Sequence, residues 1–190
     1  MEQASKNGAD VLRINAARVE ELLVKFLHDE TINAGFSKAV IGLSGGVDSA
    51  VVAMLAAKAL GKQNVRSVIM PYATSNPESA QDAEKVVEHA GIRTETVPIT
   101  EMVDGYVGNQ RIKDRKRRGN IMARARMIVL YDCSSRDDAL VIGTSNKTEL
   151  MLGYGTLHGD MASAINPIGD LYKTQVLQLA ESIGVPKRIR

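Results

Sequence analysis

The sequence predicts an α/β protein in which a parallel sheet carries helices on both faces. Short, continuous apolar runs alternate along the chain with segments whose apolar residues recur at helical spacing. Continuous apolar runs are typical of strands buried on both faces, and their alternation with helices is typical of parallel sheets. No repeat or change of composition marks a second domain, so we predict a single domain over residues 1–190.

The predicted elements follow in order from these patterns and from the glycines and prolines at their ends. The sequence gives four predicted strands, at residues 39–43, 65–70, 94–99 and 139–143. The helical patterns give five helices, at residues 11–28, 50–60, 77–89, 121–132 and 172–183. Because ligands of open parallel sheets bind at the carboxyl ends of the strands, we expect the chemistry in the segments after the first and fourth strands.

Composition excludes several classes of protein. The chain has 44% hydrophobic and 24% charged residues, as globular proteins do, and its single cysteine, Cys133, excludes an internal disulfide and a cysteine-rich metal site. We expect Cys133 in the connection between the fourth helix and the fourth strand. No apolar run approaches the ~20 residues of a membrane span, and the first residues lack the apolar stretch of a signal peptide. The sequence therefore predicts a cytoplasmic protein without a membrane partner.

A glycine-rich segment joins the first strand to the second helix, and it reads Gly42-Leu43-Ser44-Gly45-Gly46-Val47-Asp48-Ser49. Gly45 and Gly46 let the backbone approach a ligand closely, and the helix N-terminus offers free N–H donors. Ser44 and Ser49 add hydroxyl donors. These features predict an anion cradle, most naturally for phosphate. The segment lacks both the Gly-Lys-Ser/Thr of a P-loop and the G-x-G-x-x-G of a dinucleotide-binding loop.

Asp48 is the informative residue of this segment. A carboxylate inside a phosphate cradle repels the phosphate unless a cation lies between them, and Mg²⁺ is commonly held by one or two carboxylates together with phosphate oxygens. The alternative is a tight turn in which Asp48 only caps the helix. The position of the segment between a buried strand and a helix favours the magnesium and phosphate site.

The glycine-rich segment resembles the pyrophosphate loop of the N-type ATP pyrophosphatases, which split ATP between its α and β phosphates. Residues 119–127, 143–156 and 166–174 resemble NAD synthetase in particular. The similarity extends from about Leu22 to the last residue. It implies an adenine-nucleotide α-hydrolase-like, Rossmann-like sheet. It also implies a ligase that adenylates the carboxylate of deamido-NAD with ATP, releases pyrophosphate, and forms NAD and AMP when ammonia attacks the adenylate.

The resemblance implies roles for particular residues. The glycine-rich segment from Gly42 to Ser49 would bind ATP, together with Thr144 and Lys173. Asp48 and Glu149 would bind Mg²⁺. The catalytic residues would be Asp48, Lys173 and Asp160, of which Asp160 would hold ammonium and take its proton.

Arg124 would bind deamido-NAD. Each side chain also has a structural alternative: Glu149 as a solvated helix acid, Lys173 as a surface lysine, Arg124 as part of a basic helix face, and Asp160 as a turn residue. In two places the chain departs from many relatives, because Leu157 and Ala164 stand where those relatives carry a Lys and an Asp that contact deamido-NAD. The substrate would then be held by different contacts.

Residues 111–126 carry eight basic residues and one acid, although the net charge of the whole chain is only +2. A basic run can bind nucleic acid, but no aromatic residues are interleaved with it. We therefore expect residues 111–118 to form a mobile, solvated loop and expect no nucleic-acid partner. A third hypothesis is that the positive charge of this run attracts the substrates to the site, because both implied substrates are polyanions.

The resemblance also implies a homodimer. We expect its interface to be lined by the apolar faces of the N-terminal helix and of the helix at residues 121–131, because that second helix has more apolar surface than a solvated helix needs. Ammonia is expected to be the direct nitrogen donor, because no amidase domain precedes the synthetase segment. The family's C-terminal segment, which closes over ATP and substrate, is expected to be absent beyond Arg190, and turnover to be weak. Two alternatives remain: a tRNA-modifying adenylating enzyme of the same superfamily, and a nucleotide-binding module without turnover.

Overall fold

The computed structural model describes residues 11–190 and contains one parallel sheet. Its strands are β1 (Ala39–Gly42), β2 (Val65–Ile69), β3 (Arg93–Thr96) and β4 (Leu140–Ile142). They lie in the order β3-β2-β1-β4, and every neighbouring pair is parallel. The four predicted strands and their parallel arrangement are confirmed. The third ends earlier than predicted, at Thr96, although the Val97 and Ile99 N–H groups still donate to the Ile69 and Pro71 carbonyls.

Helices follow each strand. Within residues 11–190 they are α1 (Ala16–Asn33), α2 (Val47–Leu60), α3 (Pro77–Ala90), α4 (Thr100–Asn109), α5 (Arg115–Asp137), α6 (Lys147–Leu152) and α7 (Lys173–Ser182), with a 3-10 turn at Lys62–Asn64. Of these described helices, none combines the length and the apolar character that crossing a membrane requires.

Two apolar cores lie on the two faces of the sheet. Successive residues of a strand point to opposite faces, so Ile41 packs in one core and Val40 in the other. The first core is closed by α1, α2, α3 and α7, and the second by α4 and α5. Helices therefore cover both faces, as predicted, and the carboxyl ends of β1, β2 and β4 open on one common edge.

The first helix begins and ends five residues later than predicted. The Asn15 side chain caps it by accepting a hydrogen bond from the Arg18 N–H, at 3.1 Å. The residues before the cap pack on α7 instead, where the Gln178 side chain accepts from the Ile14 N–H and donates to the Leu12 carbonyl. Apolar periodicity alone could not separate these contacts from a helix.

The prediction of a mobile loop at residues 111–118 is wrong for Arg115 to Arg118, which form the first turn of α5. Four cations at a helix N-terminus interact unfavourably with the helix dipole, so the sequence did not indicate that the helix begins here. Asp114 offsets this unfavourable charge by capping the helix, because its carboxylate accepts a hydrogen bond from the Arg117 N–H at 2.6 Å. The preceding helix α4 was not predicted at all, because it contains Gly105 and Gly108, which have low helix propensity.

Cys133 lies inside α5, four residues before its end, and not in the connection to β4. Its thiol is buried beside the Glu95 carboxylate, and burial, reinforced by that carboxylate, raises the pKa of Cys133 to about 11. A thiol with this pKa is protonated at neutral pH, so Cys133 packs as a small core residue.

The apolar residues of α5 are used mainly within the chain. Met122 and Leu130 pack against the second core, and Met127 lines a cavity described below. Ile128, at 54% exposure, and Tyr131, at 41%, remain on the surface. The apolar excess that predicts a dimer interface on this helix therefore has largely an intramolecular explanation.

Candidate nucleotide and metal site

The glycine-rich segment forms a tight loop between β1 and α2. Gly45 has φ +83°, a conformation that favours glycine, and a Cβ at this position would lie 2.2 Å from the Ser79 carbonyl oxygen. Glycine is therefore required here both by the backbone and by the neighbouring helix α3. No side chain caps α2 at Gly46, so its first N–H groups are available to an anion.

Two serine hydroxyls hold this loop together. The Ser49 hydroxyl donates to the Gly46 carbonyl at 3.0 Å and accepts from the Ser44 N–H at 3.3 Å. The two hydroxyl oxygens are 3.1 Å apart. Because Ser49 is buried and its proton is used within the loop, its role is to shape the cradle, whereas Ser44 is exposed toward a ligand.

A cavity of about 530 Å³ lies at the carboxyl ends of β1, β2 and β4. The predicted site residues that line it are Gly42, Leu43, Ser44, Asp48, Ser49, Thr144, Glu149 and Asp160. The predicted residues outside its wall are Gly45, Gly46, Val47, Arg124 and Lys173. The structure thus brings the segments after the first and fourth strands to one cavity.

Asp48 has a hydrogen-bond partner on each carboxylate oxygen. The Lys173 ammonium group is hydrogen-bonded to Oδ2, and the Asn146 side-chain amide donates to Oδ1 at 3.1 Å. Lys173 is the first residue of α7, and its N–H donates to the Thr148 hydroxyl. A cation at a helix N-terminus is therefore compensated here by the neighbouring carboxylate.

Glu149 lies in the first turn of α6 and forms a reciprocal cap with Asn146. The Asn146 side-chain oxygen accepts from the Glu149 N–H at 3.0 Å, and the Asn146 N–H donates to Glu149 Oε2 at 3.1 Å. Glu149 Oε1 has no hydrogen-bond partner among residues 11–190. Glu149 is thus a half-buried helix residue whose carboxylate caps α6, and the same residue lines the cavity.

The residues present fit a magnesium ion bound together with phosphate. The described residues contain no cluster of three or more His, Cys, Asp or Glu side chains that could cage a metal alone. Mg²⁺ is usually held by one or two carboxylates plus substrate phosphates and waters, and the Asp48 and Glu149 carboxylates at a phosphate cradle provide that donor set.

Arg124 and Arg126 differ in position although they are close in sequence. Arg124 is exposed and donates to the Leu157 carbonyl from Nε and Nη2, at 3.3 and 3.2 Å. Arg126 lines the cavity, where its Nε donates to the Met70 carbonyl at 3.1 Å. Burial lowers the pKa of Arg126, and the nearby Asp160 carboxylate opposes that shift.

Asp160 is both a turn residue and a cavity residue. Its carboxylate accepts from the Thr156 N–H at 2.7 Å, and the residue is exposed at the mouth of the cavity. The two interpretations of Asp160 offered by the sequence are thus compatible.

Three residues of the site were missed as functional candidates: Asn146, Arg126 and Tyr72. Both Asn146 and Arg126 lie in the segments that carried the resemblance, but their side-chain directions could not be predicted from the sequence. Tyr72 lies three residues after the end of β2. Its hydroxyl group donates a hydrogen bond to the Asp104 carboxylate at 2.6 Å and accepts one from the Arg118 guanidinium at 2.9 Å. The basic run is thereby anchored to a residue that lines the cavity.

Fold and site together define a nucleotide-binding α/β protein of the adenine-nucleotide α-hydrolase-like class. The chain belongs to the NAD synthase family, whose family model matches residues 19–190. It is 56% identical over 175 residues to the NH3-dependent NAD⁺ synthetase of Chlorobaculum tepidum, a match that covers 92% of this chain and 63% of that protein. The chain spans between 63% and 65% of the lengths of this and three similar curated relatives.

Two solved structures are also similar to it. The NH3-dependent NAD synthetase from Campylobacter jejuni, in complex with the nitrate ion, has a TM-score of 0.89 at 37% identity; the match covers 93% of this chain and 77% of that one. The NMN synthetase from Francisella tularensis has a TM-score of 0.88 at 35% identity, over 93% of this chain and 74% of that one. These similarities confirm the predicted fold class and family.

Proposed function

We propose that this chain is the catalytic part of an ammonia-dependent NAD synthetase that amidates deamido-NAD at the expense of ATP. The observation that carries the proposal is the convergence of the glycine-rich loop, Asp48 and Glu149 on one cavity. The names of the curated relatives support both the reaction and ammonia as the nitrogen donor.

In this proposal the triphosphate of ATP lies at the N-terminus of α2, cradled by residues 42–49 and contacted by Thr144. Asp48 and Glu149 would hold Mg²⁺, which would supply positive charge to stabilise the leaving pyrophosphate. Lys173 leaves Asp48 for the phosphates when they arrive. The carboxylate of deamido-NAD attacks the α phosphorus, the bond to pyrophosphate breaks, and an acyl adenylate forms.

Ammonia then forms the new C–N bond and AMP leaves. Asp160, at the cavity mouth, takes the proton that ammonium must lose before its nitrogen can attack. Arg124, whose guanidinium now contacts the exposed Leu157 carbonyl, binds deamido-NAD on the outer side of the cavity. Leu157 and Ala164 have no charged group with which to bind deamido-NAD, so Arg124 contributes a larger share of the binding of that substrate.

The proposal includes a homodimer in the cytoplasm. The exposed apolar residues of α1, among them Leu22 at 58% and Ile32 at 49% exposure, support a contact with a second copy. Light scattering over a hundredfold range of concentration tests the assembly, and a monomer throughout that range would contradict it.

A second candidate function is amidation of the mononucleotide to give NMN. The similarity to an NMN synthetase, together with the absence of charge at Leu157 and Ala164, favours it. The two candidates share the chemistry at ATP and differ only in the length of the second substrate.

The deciding experiment measures pyrophosphate release with ATP, Mg²⁺ and ammonium, and with deamido-NAD or nicotinate mononucleotide as acceptor. The proposal predicts that omitting ATP, Mg²⁺ or the acceptor stops pyrophosphate release, that omitting ammonium stops formation of the amide product, and that deamido-NAD gives the larger kcat/KM. A larger kcat/KM for the mononucleotide would favour the second candidate. ATP binding without pyrophosphate release would contradict both.

A further inference from the structure

Asn146 connects the two carboxylates at the nucleotide cavity without lining the cavity itself. Its side chain is fully buried, at 0% exposure. It donates from Nδ2 to Asp48 and accepts at Oδ1 from the Glu149 N–H, while its backbone N–H donates to the Glu149 carboxylate. Among residues 11–190, no other side chain is hydrogen-bonded to both Asp48 and Glu149.

The direction of the Asn146 amide is fixed by these contacts. The Glu149 N–H can only donate, so the amide atom that faces it must be the oxygen. The amide nitrogen therefore faces Asp48 and donates to its carboxylate. Turning the amide over would leave a buried N–H₂ against an N–H and a carbonyl oxygen against a carboxylate, which costs two hydrogen bonds.

We propose that Asn146 is a positioning residue that fixes the Asp48 and Glu149 carboxylates relative to each other, so that together they hold one divalent cation. This inference rests on the proposed function, in which these two residues bind Mg²⁺. Asp48 belongs to α2 and Glu149 to α6, so their separation depends on a contact between two helices that are distant in sequence. Asn146 provides that contact.

The geometry leaves both carboxylates able to bind a metal while Asn146 stays in place. Each carboxylate oxygen has two lone pairs, and Asn146 uses one on Asp48 Oδ1 and one on Glu149 Oε2. Lys173 holds the other Asp48 oxygen and can leave, because it is 41% exposed. Asn146 is buried, and among residues 11–190 its side-chain nitrogen has no hydrogen-bond partner other than Asp48, so it holds Asp48 in one orientation during that exchange.

The test separates positioning from helix capping. Asn146→Ser keeps a good N-cap for α6 but cannot reach Asp48. Asn15→Ser makes the same change at the cap of α1, away from the cavity, and serves as the matched control. We would measure Mn²⁺ binding by electron paramagnetic resonance in the presence of an ATP analogue with a methylene bridge between the α and β phosphates, and binding of the analogue alone without metal.

We expect Asn146→Ser to weaken Mn²⁺ binding by about 10- to 100-fold, as loss of an outer-shell partner does. Binding of the analogue without metal should change less than about threefold, and Asn15→Ser should change neither. In the Asp48→Asn background the Ser substitution should cause little further loss of metal affinity, because the two residues act through one interaction. Unchanged Mn²⁺ affinity in Asn146→Ser, an equal loss of metal and analogue affinity, or full additivity with Asp48→Asn would each overturn the proposal.

If Asp48→Asn alone leaves Mn²⁺ affinity unchanged, the metal assignment in the proposed function fails instead. A measurement on the unmodified protein does not depend on the variants folding. The Asn146 side-chain amide protons, followed by nuclear magnetic resonance, should stay protected from exchange when metal and analogue bind. Loss of that protection on metal binding would contradict a lasting contact with Asp48.

Discussion

The two sides of the cavity differ in how completely the chain builds them. On the nucleotide side, Asn146 is fully buried and Asp48 is joined by hydrogen bonds to two other elements. On the outer side, Arg124 and Asp160 are exposed, and so are apolar neighbours such as Tyr154 at 78% and Leu157 at 64% exposure. Geometry on the nucleotide side is therefore set within the chain, whereas the outer side leaves its surface available to a second substrate or another protein surface.

The largest effect on activity is expected on the nucleotide side, from Asp48→Asn. Loss of a carboxylate ligand removes charge stabilisation from the leaving pyrophosphate, so kcat/KM for pyrophosphate release should fall by on the order of 10³-fold. Circular dichroism should show an unchanged fold. The control is Asp132→Asn, which changes an exposed carboxylate of α5 and should leave the rate unaltered. Retained activity in Asp48→Asn, with normal Mg²⁺ dependence, would contradict the metal assignment.

The second prediction concerns the loop backbone. Gly45→Ala introduces a Cβ into the Ser79 carbonyl and requires a positive φ, so it should destabilise the protein by about 1–3 kcal/mol and weaken nucleotide binding by about 100-fold. Gly105→Ala in α4 is the matched control, because a Cβ there meets no atom within 4 Å. It should stabilise the protein by about 0.5–1 kcal/mol. Urea unfolding and nucleotide titration measure both variants, and equal behaviour of the two would contradict the role of Gly45.

The third prediction concerns the outer side of the cavity. Arg124→Ala should raise KM for deamido-NAD about tenfold, which corresponds to one charge-assisted hydrogen bond, and should leave the affinity for ATP unchanged. Arg93→Ala, at the amino end of the edge strand β3, is the control and should change neither quantity. A matching rise in KM for ATP would show that the two sides are not independent.

Features that are set by local sequence could be predicted, whereas features that depend on contacts between distant residues could not. The alternation of apolar runs with helical segments predicts the sheet, because burial on both faces leaves a local signal in β1, β2 and β4. The glycine-rich loop is predicted for a similar reason, since Gly45 is required by local backbone geometry. Asn146 and Arg126 could not be assigned, because their roles depend on side chains distant in sequence, such as Asp48, and on the Met70 carbonyl.

Errors of prediction have equally specific causes. Four cations at the start of α5 contradict the usual charge preference of a helix N-terminus, and the compensating cap at Asp114 is a single residue. The apolar side chains of α5 could equally have faced a partner or the core. Only the fold shows that Met122 and Leu130 pack inside the chain.

The smallest expected effect comes from Lys173, which contacts Asp48 on the nucleotide side. Its ammonium group competes with a cation for Asp48, so Lys173→Met should bind Mn²⁺ more tightly when no nucleotide is present. A partly exposed ion pair is worth about 1 kcal/mol, which corresponds to about a fivefold gain in metal affinity. With the ATP analogue present the sign should reverse, because the variant lacks a cation for the phosphates, and analogue affinity should fall. Lys173→Arg keeps the charge and should behave like the unmodified protein in the absence of nucleotide. Weaker Mn²⁺ binding by Lys173→Met without nucleotide would show that Lys173 supports the Asp48 carboxylate as a metal ligand and does not compete for it.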